Sequence, residues 1–217
     1  MALVIRSCDR RPFSLLLDRM HRLRCRVFVE RLGWAVAAPG GREIDCFDHG
    51  ECRHLLALGP EDRVLASVRL TPSQEPNVTC DVLQARFGAQ LPRRPGLVEI
   101  SRECVDPDLD PDERREALSD LRASLFELLD VEGWDAALGV VYEPVVQAWI
   151  RSGAHVRPLA GPCRWPGDTA DTYVIEWSVG AVRADMPWRK LSGGVPCLQD
   201  PQFDTGLVTR FGQPEAA

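Results

Sequence analysis

The chain has 217 residues, 45% of them hydrophobic and 27% charged, which suits one soluble globular domain with a core of useful size. A formal net charge of -6 argues against a nucleic-acid binder, because phosphate recognition draws on a basic surface. No apolar run reaches the roughly 20 residues that span a bilayer, and no signal peptide precedes Arg6 and Asp9, so a cytoplasmic, membrane-free protein is expected. Its eight cysteines, with no CxxC among them, then read as reduced thiols.

Residues 2–5 form a short strand candidate. A helix is predicted from Phe13 to Arg31, because Leu16, Leu17, Met20, Leu23, Val27 and Phe28 recur at three- and four-residue spacing. Gly33 ends it. Residues 35–52 read as a loop, a length that often signals function. Strands follow at 54–58 and 64–70, a short helix at 82–87, and a strand at 97–105. Unbroken alternation along that last strand would put Val98, Ile100 and Arg102 on one face and Glu99, Ser101 and Glu103 on the other; a bulge would re-aim them. A leucine-striped helix from Asp110 to Glu132, a strand at 136–142, a helix at 144–151 and strands at 155–159 and 172–179 complete the pattern. From Arg183 onward little periodicity remains, and an irregular tail is expected there. The order of elements implies a single α/β domain over residues 1–217, a mixed sheet with helices on both faces.

Polar chemistry concentrates between Arg24 and Arg102. Arginines and carboxylates inside apolar runs are costly to bury unless they pair. Glu99, on a buried strand, is a candidate general base, and equally a candidate partner for Arg69 or Arg102 in a structural ion pair. Arg69 and Arg102 could grip a carboxylate or phosphate. Asp45 and Asp48 suit a cation, or else form a solvated acidic loop. Phe28 and Trp34 could cover a sulfonium-bearing ligand by cation–π attraction, or serve as core. Cys46, His49, Cys52 and His54 offer metal-type ligands, but within nine residues and not as two separated pairs; no metal is expected.

Taken in order, these residues resemble the LuxI-type acyl-homoserine-lactone synthases. The family's R-x3-F is matched by Arg24 and Phe28 and its tryptophan by Trp34. E-x-D-x2-D falls on Glu43, Asp45 and Asp48, the strand arginine on Arg69, a later phenylalanine on Phe87, and E-x-S-R on Glu99, Ser101 and Arg102. The resemblance implies a GNAT-like three-layer α/β/α sandwich whose central sheet is mixed and mostly antiparallel. It implies S-adenosylmethionine as a substrate, no cofactor, and an acyl thioester from acyl-CoA or an acyl carrier protein. Glu99, Ser101 and Arg102 would be catalytic. Arg24, Phe28, Trp34, Asp45, Asp48 and Arg69 would bind S-adenosylmethionine or support its binding. Phe87, Val140, Tyr142 and Trp149 would line the acyl pocket. Family members with 3-oxo chains carry a threonine at the strand matching 138–142; Leu138 to Tyr142 here disfavour that substituent. The acidic total and the aromatics Tyr142, Trp149 and Trp165 tilt the expectation to acyl-CoA carrying a branched or aromatic acyl group. The protein is expected to be a monomer or weak dimer. Two other readings are a GNAT N-acyltransferase acting on another amine, which lacks its Q/R-x-x-G-x-G/A turn here, and a non-enzymatic metal-binding regulatory module.

Overall fold

In the computed structural model, residues 2–151, 155–165, 168–179 and 198–200 are described. The elements are β1 (Ala2–Ile5), α1 (Ser14–Arg24), β2 (Arg53–Leu58), β3 (Val64–Pro72), α2 (Gln84–Phe87), β4 (Leu97–Val105), α3 (Pro111–Val131), β5 (Ala136–Tyr142), α4 (Glu143–Arg151), β6 (Val156–Cys163), β7 (Thr172–Ser178) and β8 (Leu198–Gln199). No helix among the described residues is long and apolar enough to cross a membrane. The chain divides into two compact units, one of residues 1–69, 102–125 and 195–217, the other of residues 70–101 and 126–194. The division falls inside β3, after Arg69, and inside β4, after Ser101.

In the first unit β1 pairs antiparallel with β2, from Ala2↔Ala57 to Ile5↔His54, and parallel with β8. The apolar stripe of α1 covers these strands: Leu16, Met20 and Leu23 join Leu3, Ile5, Leu56 and Leu58 in one buried cluster. The predicted single α-helix to Arg31 changes character after Arg24. Cys25–Arg31 is a π-helix, and Val27 and Phe28 remain on the buried side. Such wide turns recur at functional positions. Strand β8 departs from the expectation of an irregular tail, although residues 180–197 and 201–217 lie outside the described residues. Arg6 ties the segment down, donating 2.6 and 2.7 Å hydrogen bonds to the two carboxylate oxygens of Asp200.

In the second unit β4 runs parallel to β5, from Leu97↔Ala136 to Glu99↔Leu138. Strand β5 pairs antiparallel with β7, and β7 antiparallel with β6. Residues opposite one another share a face. Leu138 with Glu176, Val140 with Val174 and Tyr142 with Thr172 therefore lie on one side of β5, and Ala137 with Trp177 and Gly139 with Ile175 on the other. The first side carries a buried cluster of Cys80, Leu91, Leu97, Leu138 and Val174. The sheet is mixed, as expected.

The simple alternation along β4 fails at Arg102. Its φ of 56° is left-handed, a conformation that costs a non-glycine residue about 1–2 kcal/mol. The strand kinks there, so Arg102 does not continue the face set by Val98 and Ile100.

Candidate functional site

Six charged side chains assemble within the first unit. Arg24, at the end of α1, is fully buried; its ridge position beside Leu23 points it inward, where only carboxylates make burial tolerable. It donates two hydrogen bonds to Asp48, at 2.6 and 3.0 Å, and one to Glu43 at 2.5 Å. Arg69 on β3 donates to Asp45 at 2.5 Å and to Asp48 at 2.9 Å. Arg102 donates to Glu43 at 3.1 Å and to Asp45 at 2.8 Å. Three guanidinium groups thus meet three carboxylates, and the formal charges cancel. The loop holding the acids is fixed by its own turn: Asp45 N–H donates to Asp48 at 2.8 Å, and Phe47 N–H to Asp45 at 2.9 Å.

Electrostatics follow from this geometry. Burial alone would push the Asp48 carboxyl up, but the charge and hydrogen bonds of Arg24, with the charge of Arg69, hold it well below the usual carboxylate range. Burial works against the charge of Arg24, and Asp48 and Glu43 more than compensate, so its guanidinium stays charged. Burial lowers His54 well below its ordinary value, and burial with the nearby Arg24 charge lowers His21 to about 4.

The sequence reading treated Asp45 and Asp48 alike, yet the structure separates them. The Asp48 side chain is 2% exposed and committed to Arg24 and Arg69, so it acts as internal support. The Asp45 side chain is 19% exposed and is the acid of the three that offers a surface to a ligand. Arg24 is likewise support. Phe28 belongs to the buried core and stacks on Trp34, ring centroids 4.6 Å apart, while the guanidinium of Arg102 lies 5.7 Å from each ring. An aromatic face beside carboxylates can receive an organic cation.

The second unit holds Glu99, fully buried on β4. Thr79 donates its hydroxyl to Glu99 Oε1 at 2.7 Å, and Ser101 donates to Oε2 at 3.0 Å. Ser101 is half-buried, whereas Thr79 and Glu99 are closed off. Thr79 was missed in the sequence reading. The only local hint is Asn77, a helix-capping residue type two positions earlier.

The expected acyl-pocket residues divide between the two sides of β5. Phe87 and Val140 pack on the buried cluster of the first side, and Tyr142, on that side too, donates its hydroxyl to Asp168 at 3.2 Å. Trp149 stands with the other side: it stacks on Trp177, which faces with Ala137 and Gly139, and meets Phe126 edge-on. The resemblance grouped Trp149 with the others as a nearby aromatic, and spacing alone does not reveal which side of β5 it covers.

Among the described residues no group of three or more His, Cys, Asp or Glu side chains is arranged to hold a metal ion. Cys52 and His54 are buried neighbours at 3.6 Å, while Cys46 and His49 are exposed.

A carboxylate held by hydroxyls on a buried strand is able to take up a proton, and carboxylates beside an aromatic face can receive an organic cation. The chain belongs to the autoinducer synthase family, whose profile matches residues 11–173. It is 36% identical over 159 residues to an acyl-homoserine-lactone synthase of Agrobacterium fabrum, covering 71% of this chain and 70% of that protein. It is 41% identical over 92 residues to a "Probable acyl-homoserine-lactone synthase" of Sinorhizobium fredii; that match spans less than half of either protein, 42% of this chain and 44% of the relative. Its fold is similar to that of BjaI, described as a CoA-dependent acyl-homoserine lactone synthase and solved with SAM and isopentyl-CoA, at a TM-score of 0.80 and 24% identity over 92% of each chain. The fold class is therefore GNAT-like α/β, and the named relatives are acyltransferases.

Proposed function

We propose that this protein makes an N-acyl-L-homoserine lactone from S-adenosylmethionine and an acyl thioester, releasing methylthioadenosine and needing no cofactor. The observation that carries the reading is the Glu99 carboxylate pinned by Thr79 and by Ser101, the residue that immediately precedes the left-handed Arg102. The substrate's α-ammonium must lose a proton before its nitrogen can attack the thioester carbonyl. Glu99 has no exposed surface, so the half-buried Ser101 hydroxyl, or a water beside it, hands that proton on to Oε2. The kink at Arg102 frees backbone N–H groups near Ser101 to Glu103 to meet the tetrahedral oxyanion. The methionine carboxylate then attacks the γ-carbon, the C–S bond breaks, and the lactone closes. Asp45, Phe28 and Trp34 offer charge and aromatic faces to the sulfonium and ammonium, with Arg24, Arg69, Arg102, Glu43 and Asp48 holding them in place.

Acyl-CoA is the favoured donor over an acyl carrier protein. The acidic composition supports this, since a carrier is itself acidic, and so does the CoA dependence in the description of BjaI. Phe87, Val140 and Tyr142, which share one side of β5, are the residues we propose to line the acyl side, and a branched or aromatic acyl group suits them; Trp149 packs on the other side. A cytoplasmic monomer or weak dimer fits the same reading.

The test is product analysis by mass spectrometry with S-adenosylmethionine and either acyl-CoA or acyl carrier protein thioesters. The wild-type chain yields the lactone and methylthioadenosine. Glu99→Gln folds but loses most acylation; full turnover by that variant would refute the assignment of the base.

A further inference from the structure

Thr79 sits on no strand of the sheet, yet its hydroxyl donates to Glu99 at 2.7 Å, a shorter hydrogen bond than the 3.0 Å one from Ser101. The segment that brings it there is closed by its own bonds. Asn77, with no exposed surface, is its hub. Asn77 donates its side-chain amide to Glu75 O at 2.9 Å and Ser73 O at 3.4 Å, and accepts from Cys80 N–H at 2.9 Å. Its backbone N–H donates to Asp81 at 2.7 Å. These bonds start the π-helix Thr79–Leu83 at one defined residue.

A second layer holds that hub against β4. Ser73 N–H donates to Leu97 O at 2.9 Å, which fixes the segment two residues before Glu99. The Ser73 hydroxyl donates to Arg94 O at 3.0 Å and accepts from Arg94 N–H at 3.0 Å. Arg93 bonds to Asp81 and donates to Glu75 O at 3.1 Å and Ser73 O at 3.3 Å. Two loops are thereby zipped together over eight hydrogen-bonding residues, and the end of the zipper is a single hydroxyl on the carboxylate. Valine, an apolar β-branched side chain, has nearly the volume of threonine and lacks the donor.

We infer that Thr79 is a positioning residue for the acylation step, fixing the orientation of the Glu99 carboxylate so that Oε2 stays turned to Ser101. With Oε1 anchored by Thr79, rotation about the last side-chain torsion of Glu99 is blocked. That torsion is otherwise broad and soft. Oε2 is then left on the side of the half-buried Ser101, the direction from which a proton arrives. Being 1% exposed, Thr79 touches no substrate; it acts only through Glu99. The proton moves from substrate nitrogen to Ser101 or water, and from there to Oε2. The Thr79 proton stays on its own oxygen throughout.

This inference rests on the proposed reaction, and its test is read only where the wild-type chain is active. Three variants separate positioning from packing. Thr79→Val keeps shape and removes the donor. Thr79→Ser keeps the donor and removes a methyl. Thr79→Cys matches serine in size but is a weak donor. The expected result is a kcat lowered by about tenfold to a hundredfold in Thr79→Val, the scale of a misplaced reacting group. KM for S-adenosylmethionine stays within about twofold, since the donor touches no substrate. Thr79→Ser recovers most of kcat, and Thr79→Cys does not. Wild-type kcat in Thr79→Val overturns the inference, as does a Thr79→Ser enzyme as slow as Thr79→Val. Should Thr79→Val fail to fold, the serine and cysteine variants decide, and equal kcat in those two overturns it. An inactive wild-type chain, by contrast, counts against the reaction itself.

Discussion

Arg24 gives the sharpest test of the charge cluster. Arg24→Met keeps length and apolar bulk but removes one of three positive charges, leaving Arg69 and Arg102 to balance Glu43, Asp45 and Asp48. One negative charge is then uncompensated where Glu43 and Asp48 are 1% and 2% exposed. Breaking a buried pair by deleting one partner costs about 3–5 kcal/mol. Asp48 keeps its bond to Arg69 and Glu43 its bond to Arg102, so the lower end, about 3 kcal/mol, is expected. For a chain of this length that corresponds to a fall of about 6–12 °C in Tm. Urea unfolding followed by tryptophan fluorescence measures the free energy directly. Arg24→Met with Asp48→Asn restores the balance, two arginines to two acids, and should cost at least about 1 kcal/mol less than the sum of the single changes. A loss below about 1 kcal/mol for Arg24→Met, or strict additivity in the double variant, would refute the account of a coupled, charge-balanced cluster.

Acid should weaken the fold in two steps. His21 and His54 have folded values below the ordinary 6.5, so the unfolded chain binds their protons first. Stability is complete above about pH 6.5 and falls as pH drops toward the folded value of His21, about 4, by about 3 kcal/mol from that residue. Asp48, held low, adds a further loss below its unfolded value of 3.8. A Tm that stays flat from pH 7 to about 4.5 would contradict the first step. Asp45→Asn should weaken S-adenosylmethionine binding about tenfold with the fold intact, because it removes the most exposed acid of the cluster; unchanged affinity in calorimetry would remove Asp45 from the binding role. Gly139→Ala should destabilise by about 1–3 kcal/mol, since a Cβ there would lie 2.8 Å from the Ile100 carbonyl oxygen, and an unmoved urea midpoint would show that β4 and β5 can part there without cost.

Much of this was legible in the residues, and the boundary has physical causes. The stripe of Leu16, Met20 and Leu23 announced α1 because a 3.6-residue period survives any tertiary context. The ordered acids and arginines announced the cluster because such charges in apolar runs have few other ways to be buried. Three features were hidden. The left-handed φ at Arg102 has no signature in composition, since arginine does not favour that conformation. Strand β8 is two residues long and exists through its pairing with β1 and the Arg6–Asp200 bond, so no local period marks it. The side of β5 that Trp149 covers depends on the residue at which β5 passes directly into α4, and no sequence period marks that point.

These hidden features share a logic with the visible ones. A non-glycine residue in the left-handed region persists only where its surroundings over-determine it. For Arg102 they do: its guanidinium is fixed by Glu43 and Asp45, and those acids are fixed in turn by Arg24, Arg69 and their own turn. The cluster therefore also holds Arg102 in its left-handed conformation next to Ser101, where the proposed reaction calls for backbone donors. By this argument Arg24, which reaches no solvent and no substrate, bears on kcat as well as on stability. A milder change, Arg24→Lys, should lower kcat at temperatures where the chain remains folded.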